Sequence, residues 1–236
     1  MQYLLVHGLG ISSNIWDGLV PLLDGDVIAK DLPGHGHSQC RRYDWDGLWS
    51  DISESVAADE WKKTIVVLHS FSAALLPEII NNGVRPAHVI FLEGILHYQD
   101  MYWSNDISLM SEEEYEIWLE RFRSVSYMAL KSQLVARPRK AEILRWSRSF
   151  REVNGTALRA IAINLRERLL KDELRRSFGK INFTIKYVKG GKSKVIVADF
   201  LKEVGVKDCW VIPNAGHFPM IDDPILLSDK LNKLND

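Results

Sequence analysis

The stretch Thr64-Ile-Val-Val-Leu-His-Ser-Phe-Ser-Ala-Ala-Leu-Leu76 decides the fold class. Ile65 to Leu68 is an unbroken apolar run rich in β-branched residues, the composition of a strand buried on both faces of a parallel sheet. From Ser72 onward the residues favour a helix packed behind that strand. Ser70 then stands at a strand-to-helix turn with its hydroxyl above the sheet edge, beside helix N–H groups that favour negative charge. Two readings of Ser70 fit this stretch alone, an exposed nucleophile or a serine capping a helix start. The usual nucleophile pattern, Gly-x-Ser-x-Gly, keeps both flanks small. Here it reads Leu68-His69-Ser70-Phe71-Ser72, small on one side only.

Outward from that stretch, the chain of 236 residues, 46% of them hydrophobic, is long enough to bury a full core in one domain. A formal net charge of −1 gives no global pull toward nucleic acid or a membrane surface. Cys40 and Cys209 are the only cysteines, too few for a disulfide framework, and point to a reducing compartment. Met1 leads almost directly into a strand and no apolar run approaches membrane-spanning length, so a cytoplasmic protein is expected.

Upstream, Tyr3-Leu-Leu-Val6 reads as a short strand running into His7-Gly8-Leu9-Gly10, where the glycines let the backbone double back. The Leu9 amide in such a loop can point toward the space above Ser70 and, with the Phe71 amide, bind the oxygen of a tetrahedral intermediate. His7, inside the loop, is read as a brace rather than a base. Ser12, Ser13 and Asn14 are candidates to cap the next helix. Val27-Ile28-Ala29 is a second strand, ending in the ordered loop Asp31-Leu-Pro-Gly-His-Gly-His-Ser38. His35 and His37 have no Cys or carboxylate at ligand spacing, so no metal is expected there. A helix is expected over residues 44–60, with Trp45, Leu48, Trp49, Ile52 and Val56 turned to the core.

These three motifs, taken with Asn214-Ala-Gly-His-Phe-Pro-Met-Ile-Asp-Asp-Pro224, resemble the α/β-hydrolase superfamily over residues 1 to about 95 and 182 to 236. The resemblance implies an α/β fold with a mostly parallel sheet of about six strands flanked by helices, lacking the family's two leading antiparallel strands. It implies a hydrolase core in two parts, 1–96 and 181–236, with a helical cap at 97–180. It also implies a serine hydrolase in which His217 is the base for Ser70, with no cofactor.

The triad acid is less plain. The family's common position, after the penultimate strand, matches Tyr187-Val-Lys-Gly-Gly-Lys-Ser193 and holds Ser193. The family's second position follows the strand Val89-Ile-Phe-Leu92 and holds Glu93. Glu93 is preferred, since the order Ser70, Glu93, His217 is the hydrolase order of nucleophile, acid and base. Asp199, Asp208 and Asp222 remain the alternatives.

Between His97 and Lys180 the pattern turns helical, with stretches at 113–123, 140–150 and 156–170. Met101, Tyr102, Trp103, Trp118, Phe122, Tyr127, Met128 and Trp146 suit the lining of an apolar pocket. From Arg121 to Lys180 there are 16 Lys+Arg against 5 Asp+Glu, a balance of +11, which predicts a basic entrance. Arg137, Arg139, Arg145, Arg148, Arg151 and Arg159 are read either as a solvated helical surface with local ion pairs or as a dock for an acidic partner or anionic substrate. The second reading resembles esterases acting on acyl chains held by acyl carrier protein, such as the pimeloyl-carrier methyl esterase of biotin biosynthesis. A carboxylic ester is the substrate class expected. A C–C hydrolase or lyase of the menaquinone-synthase type, and a non-catalytic binding module, are the other two readings.

Overall fold

The computed structural model describes residues 1–235. Six strands form one sheet: β1 (Gln2–Val6), β2 (Asp26–Lys30), β3 (Thr64–His69), β4 (His88–Leu92), β5 (Thr184–Gly190) and β6 (Cys209–Ile212). Their order across the sheet is β2-β1-β3-β4-β5-β6, and every neighbouring pair is parallel. Parallel pairing needs long crossovers; 3₁₀ turns span the one from β1 to β2, and helices the others: α1 (Trp45–Ser53), α2 (Leu76–Asn81), α3 (Trp103–Leu109), α4 (Glu112–Ser124), α5 (Ser126–Lys131), α6 (Lys140–Glu152), α7 (Gly155–Leu170), α8 (Glu173–Phe178) and α9 (Ala198–Glu203), with α10 (Pro219–Asp222) and α11 (Pro224–Asn232) after the last strand.

The two-residue period of the strands divides the core. Leu4, Val6, Val66, Leu68, Val89 and Phe91 face one apolar cluster, while Tyr3, Leu5, Ile65, Val67, Ile90 and Leu92 face the other. Every residue of β3 is buried, so the apolar run around Leu68 is a central strand covered on both faces. Each such aliphatic side chain contributes about 1.5–3 kcal/mol by leaving water.

Three local expectations need correction. The helix from Asp44 is shorter than 44–60. Asp44 caps it by accepting from the Gly47 amide at 2.6 Å, and it ends at Ser53, after which the chain turns toward β3. Behind Ser70 the first turn is a tight 3₁₀ segment, Ser70–Leu75, and α2 follows only from Leu76. At Ser13–Trp16 the chain forms a 3₁₀ turn whose N-cap side chain does not cap; Ser12 instead shares a 2.7 Å hydroxyl hydrogen bond with Ser149.

All six helices α3–α8 lie between β4 and β5. Arg168 on α7 joins this insert to the sheet layers. Its guanidinium donates two 2.6 Å bonds to Glu78 and a third to the Ala74 carbonyl, and lies 4.0 Å from the Trp45 ring centroid. Both charged side chains are 7% exposed. Burial pushes the Glu78 carboxyl above its ordinary range despite the pairing, because desolvation outweighs the bonds.

Candidate active site

Sheet register brings the site together. Val6 pairs with Leu68 and His69 with Leu92, so the next residues along three adjacent strands bring Gly8, Ser70 and Glu93 to the same edge. Ser70 (φ 59°) and Glu93 (φ 52°) both leave their strands in the left-handed conformation, which costs a non-glycine residue about 1–2 kcal/mol. Neighbours hold them there. The Ile95 amide donates to the Ser70 carbonyl at 3.0 Å, and the Glu93 amide to the Val188 carbonyl at 2.8 Å. A Cβ on Gly8 would fall 3.1 Å from the Ser70 Cβ and 2.8 Å from His69 Nδ1, so only glycine lets this loop approach the serine.

The loop Asn214–Phe218, after β6, carries His217 over the same edge. Its Nε2 lies 3.1 Å from Ser70 Oγ, and its Nδ1 lies 3.2 Å from Glu93 Oε2. Glu93 is fully buried. Its other oxygen accepts the Gly190 amide at 2.6 Å, and Oε2 also accepts the Ser193 hydroxyl. A buried carboxylate facing Nδ1 favours the proton on that nitrogen and leaves Nε2 free to accept from the serine. The family's acid position is thus occupied by a hydroxyl that donates to the carboxylate on the neighbouring strand. The sequence showed Ser193 only as a departure from pattern; its hydrogen bond depends on β4 and β5 being adjacent.

Three other histidines hold backbone and carry no charge. His7 donates from Nδ1 to the Gly8 carbonyl and accepts the Leu32 amide at Nε2, bracing the loop as expected. His35 likewise accepts the Gly10 amide at 3.0 Å and donates to the Pro33 carbonyl. Burial pushes His7 down to about 4 and His35 down to about 3. His37, by contrast, is exposed. His69 donates to the carbonyl of His217 at 2.9 Å, so the residue before the serine supports the loop of the base. Burial, reinforced by His217 nearby, pushes His69 well below its ordinary value.

A cavity of about 690 Å³ opens over Ser70 and His217. Leu9 and Phe71 line it. Phe71 is the second residue of its 3₁₀ turn, where an N–H has no intrahelical acceptor, so its amide is free for a ligand. The insert contributes Met101, Tyr102, Trp103, Trp118 and Phe122 to the walls. Trp118 stacks on Trp103 at 5.8 Å and on Phe122 at 4.7 Å. Tyr127, Met128 and Trp146 do not line it; Trp146 packs in the core and Met128 is exposed.

The alternative acids have other partners. Asp199 is an exposed residue in the first turn of α9, and Asp208 pairs with Lys186 at 2.7 Å. Asp222 accepts the amides of Val135 and Ala136 on one oxygen and of Gly216 on the other, all at 2.8–2.9 Å. It therefore ties the insert to the loop of His217. None of the six arginines lines the cavity. Arg139, Arg145 and Arg148 pair with Glu142, Asp17 and Glu152, and Arg159 donates to the Met110 carbonyl. Arg137 and Arg151 form no ion pair among the described residues.

A profile of the Alpha/beta hydrolase family matches residues 3–229. Among curated proteins, none matches the sequence significantly. Similar solved structures include an esterase from Exiguobacterium antarcticum, with a TM-score of 0.76 and 16% identity, over 100% of this chain and 92% of that one. A bromoperoxidase from Bacillus anthracis superposes with a TM-score of 0.77 at 16% identity, over 99% and 91% of the two chains. A mutant haloalkane dehalogenase from Agrobacterium tumefaciens gives 0.78 at 16% identity, over 100% and 90%. At such identities the likeness is one of fold, and these names span different chemistries, so the reaction has to be argued from the site.

Proposed function

The chain belongs to the alpha/beta hydrolase family, and from that premise we propose that it is a serine hydrolase cleaving a carboxylic ester through an acyl-enzyme on Ser70. One observation carries the reading: Ser70 Oγ, His217 and the buried Glu93 carboxylate form a continuous hydrogen-bonded line at the floor of the cavity. Ser70 attacks the ester carbonyl while His217 Nε2 takes its proton. Glu93 orients the ring and stabilises the imidazolium. The Leu9 and Phe71 amides hold the oxyanion. His217 then protonates the departing alcohol, and a water activated by the same nitrogen releases the acid. No step calls for a cofactor.

The apolar aromatic wall of the cavity favours an ester with an alkyl or aryl portion. Docking of an acyl carrier protein on the insert draws support from Arg137 and Arg151, which among the described residues form no ion pair, while Arg159 is tied to the Met110 carbonyl instead of a carboxylate.

Intact-mass analysis after a small fluorophosphonate tests the chemistry without knowledge of the substrate. We expect one adduct on the wild type and none on Ser70→Ala. Glu93→Gln, which removes the charge but keeps the shape, should slow labelling by about 10³- to 10⁴-fold. A folded wild type that takes no adduct would sink the serine-hydrolase reading in favour of a binding module. Fast labelling of Glu93→Gln would remove Glu93 from the triad. A C–C substrate cleaved in preference to every ester would reassign the reaction.

A further inference from the structure

Lys192 and Lys194 also line the cavity. Its walls carry no aspartate or glutamate, and apart from the histidines His69 and His217 these two lysines are its only cationic side chains. Neither lysine lies within ion-pair range of a carboxylate among the described residues. The cavity is therefore locally cationic in a protein that is not.

The lysines are also well anchored for surface residues. They flank Ser193, whose hydroxyl donates to the same Glu93 oxygen that faces His217. The backbone around them is fixed at several points: Gly191 donates to the Ile212 carbonyl at 2.8 Å and Lys192 to the Ala215 carbonyl at 2.9 Å. Ser193 donates to the Gly190 carbonyl at 3.0 Å, and the Ile196 amide to the buried Asp100 at 2.9 Å. The ammonium groups thus swing on short tethers from a segment bonded to the triad itself. The rings of Trp103, Trp118, Phe122 and Phe150 supply the apolar part of the lining, and the stacked pairs among them offer a flat wall. Two exposed cations without a carboxylate partner at the edge of an apolar cavity attract an anion toward it.

We propose that the substrate held over Ser70 carries a second, anionic group, a carboxylate or phosphate, which Lys192 and Lys194 bind while its apolar portion lies against the aromatic wall. This assignment rests on the ester reading and adds the charge class of the substrate and the residues that select it. It also places the selection on the loop after β5 rather than on the arginines of the insert.

The test separates binding from turnover. Ser70→Ala protein is titrated with monobenzyl glutarate and with benzyl valerate, its uncharged near-isostere, following the fluorescence of the cavity tryptophans. The acid should bind about ten-fold more tightly or better, and added salt should narrow the difference. Lys192→Gln/Lys194→Gln in the same background should bring the two affinities within about two-fold, and Lys192→Arg/Lys194→Arg should restore the preference. Equal affinities in the Ser70→Ala protein, or a preference unchanged by the glutamine pair, would overturn the inference. Preferential binding of the acid with no benzyl alcohol released by the enzyme that retains Ser70 would overturn the ester reading and leave the anion subsite standing.

Discussion

At the sheet edge, Ser70, Glu93 and His217 are each fixed through backbone. Strand register sets the first two, and the His69 ring and the Gly216 amide hold the loop of the third. Across the cavity, the insert presents Trp103, Trp118 and Phe122, positioned by ring stacking and by helices whose apolar residues, such as Leu158, Ile161 and Leu165, pack into the sheet's core beside a few polar ties. One region is built of interactions with a single geometry, the other of contacts that tolerate sliding. The fixed geometry of the edge is what the proposed chemistry would need, since such chemistry fails when atoms shift by about 1 Å. The insert supplies the aromatic part of the cavity wall, whose side chains can change without moving the hydrogen-bonded line at the edge.

The largest effect that separates the regions should come from Arg168→Ala. It leaves Glu78 buried without its partner, and we expect a loss of about 3–5 kcal/mol of stability, read from the urea midpoint. Replacing both members of the pair by apolar residues of similar volume should recover much of that loss. If Arg168→Ala proves neutral, this pair does not tie the insert to α2.

A smaller effect is expected from Asp222→Ala, which orphans three amides and should cost about 1–3 kcal/mol. Since one of those amides belongs to the loop of His217, fluorophosphonate labelling of Ser70 should slow by about ten-fold. Unchanged labelling in a destabilised variant would show that the insert and the histidine loop move independently.

The smallest effect concerns the edge alone. His7, His35 and His69 are all held below the ordinary histidine value by burial. The unfolded chain then binds more protons than the folded one, so stability is fully present above about pH 6.5 and is lost as pH falls toward the folded values near 4 and 3. Each histidine contributes a slope of up to about 1.4 kcal/mol per pH unit in that window. Glu78, Asp100 and Asp222, raised by burial, push the other way just above their ordinary range. The histidine part is therefore read by difference: urea midpoints from pH 5 to 7 should vary less steeply for His35→Gln than for the wild type. An equal slope would mean that His35 is charged in the fold.

Much of the edge was legible because its signals are local. An apolar β-branched run followed by His69-Ser70 and the glycines at 8 and 10 each favour a backbone shape that neighbouring residues dictate, whereas His217 was reached through the superfamily resemblance of its segment. Glu93 was legible as the residue that follows a strand. The 3₁₀ turn at Ser70–Leu75 escaped the helical pattern because a sharp turn into a buried helix is set by the space between β3 and α2. The arginines of the insert misled for a related reason. Their count is a property of the sequence, but Arg139, Arg145 and Arg148 spend their charge on nearby carboxylates, and none of the six reaches the cavity.

The sequence by itself determined the parallel sheet and set Ser70 at a strand-to-helix turn, since apolar strand runs and strand-end polar residues are read within a dozen positions, while His217 and Glu93 came only with the superfamily resemblance. Only the tertiary structure decided that Ser193 would serve Glu93, that Asp222 would tie insert to loop, and that Lys192 and Lys194 would face an acid-free cavity. Those outcomes join residues about 90 to 100 positions apart in the chain, and which side chains meet across such separations is settled by packing order and strand adjacency, neither of which leaves a local pattern to read.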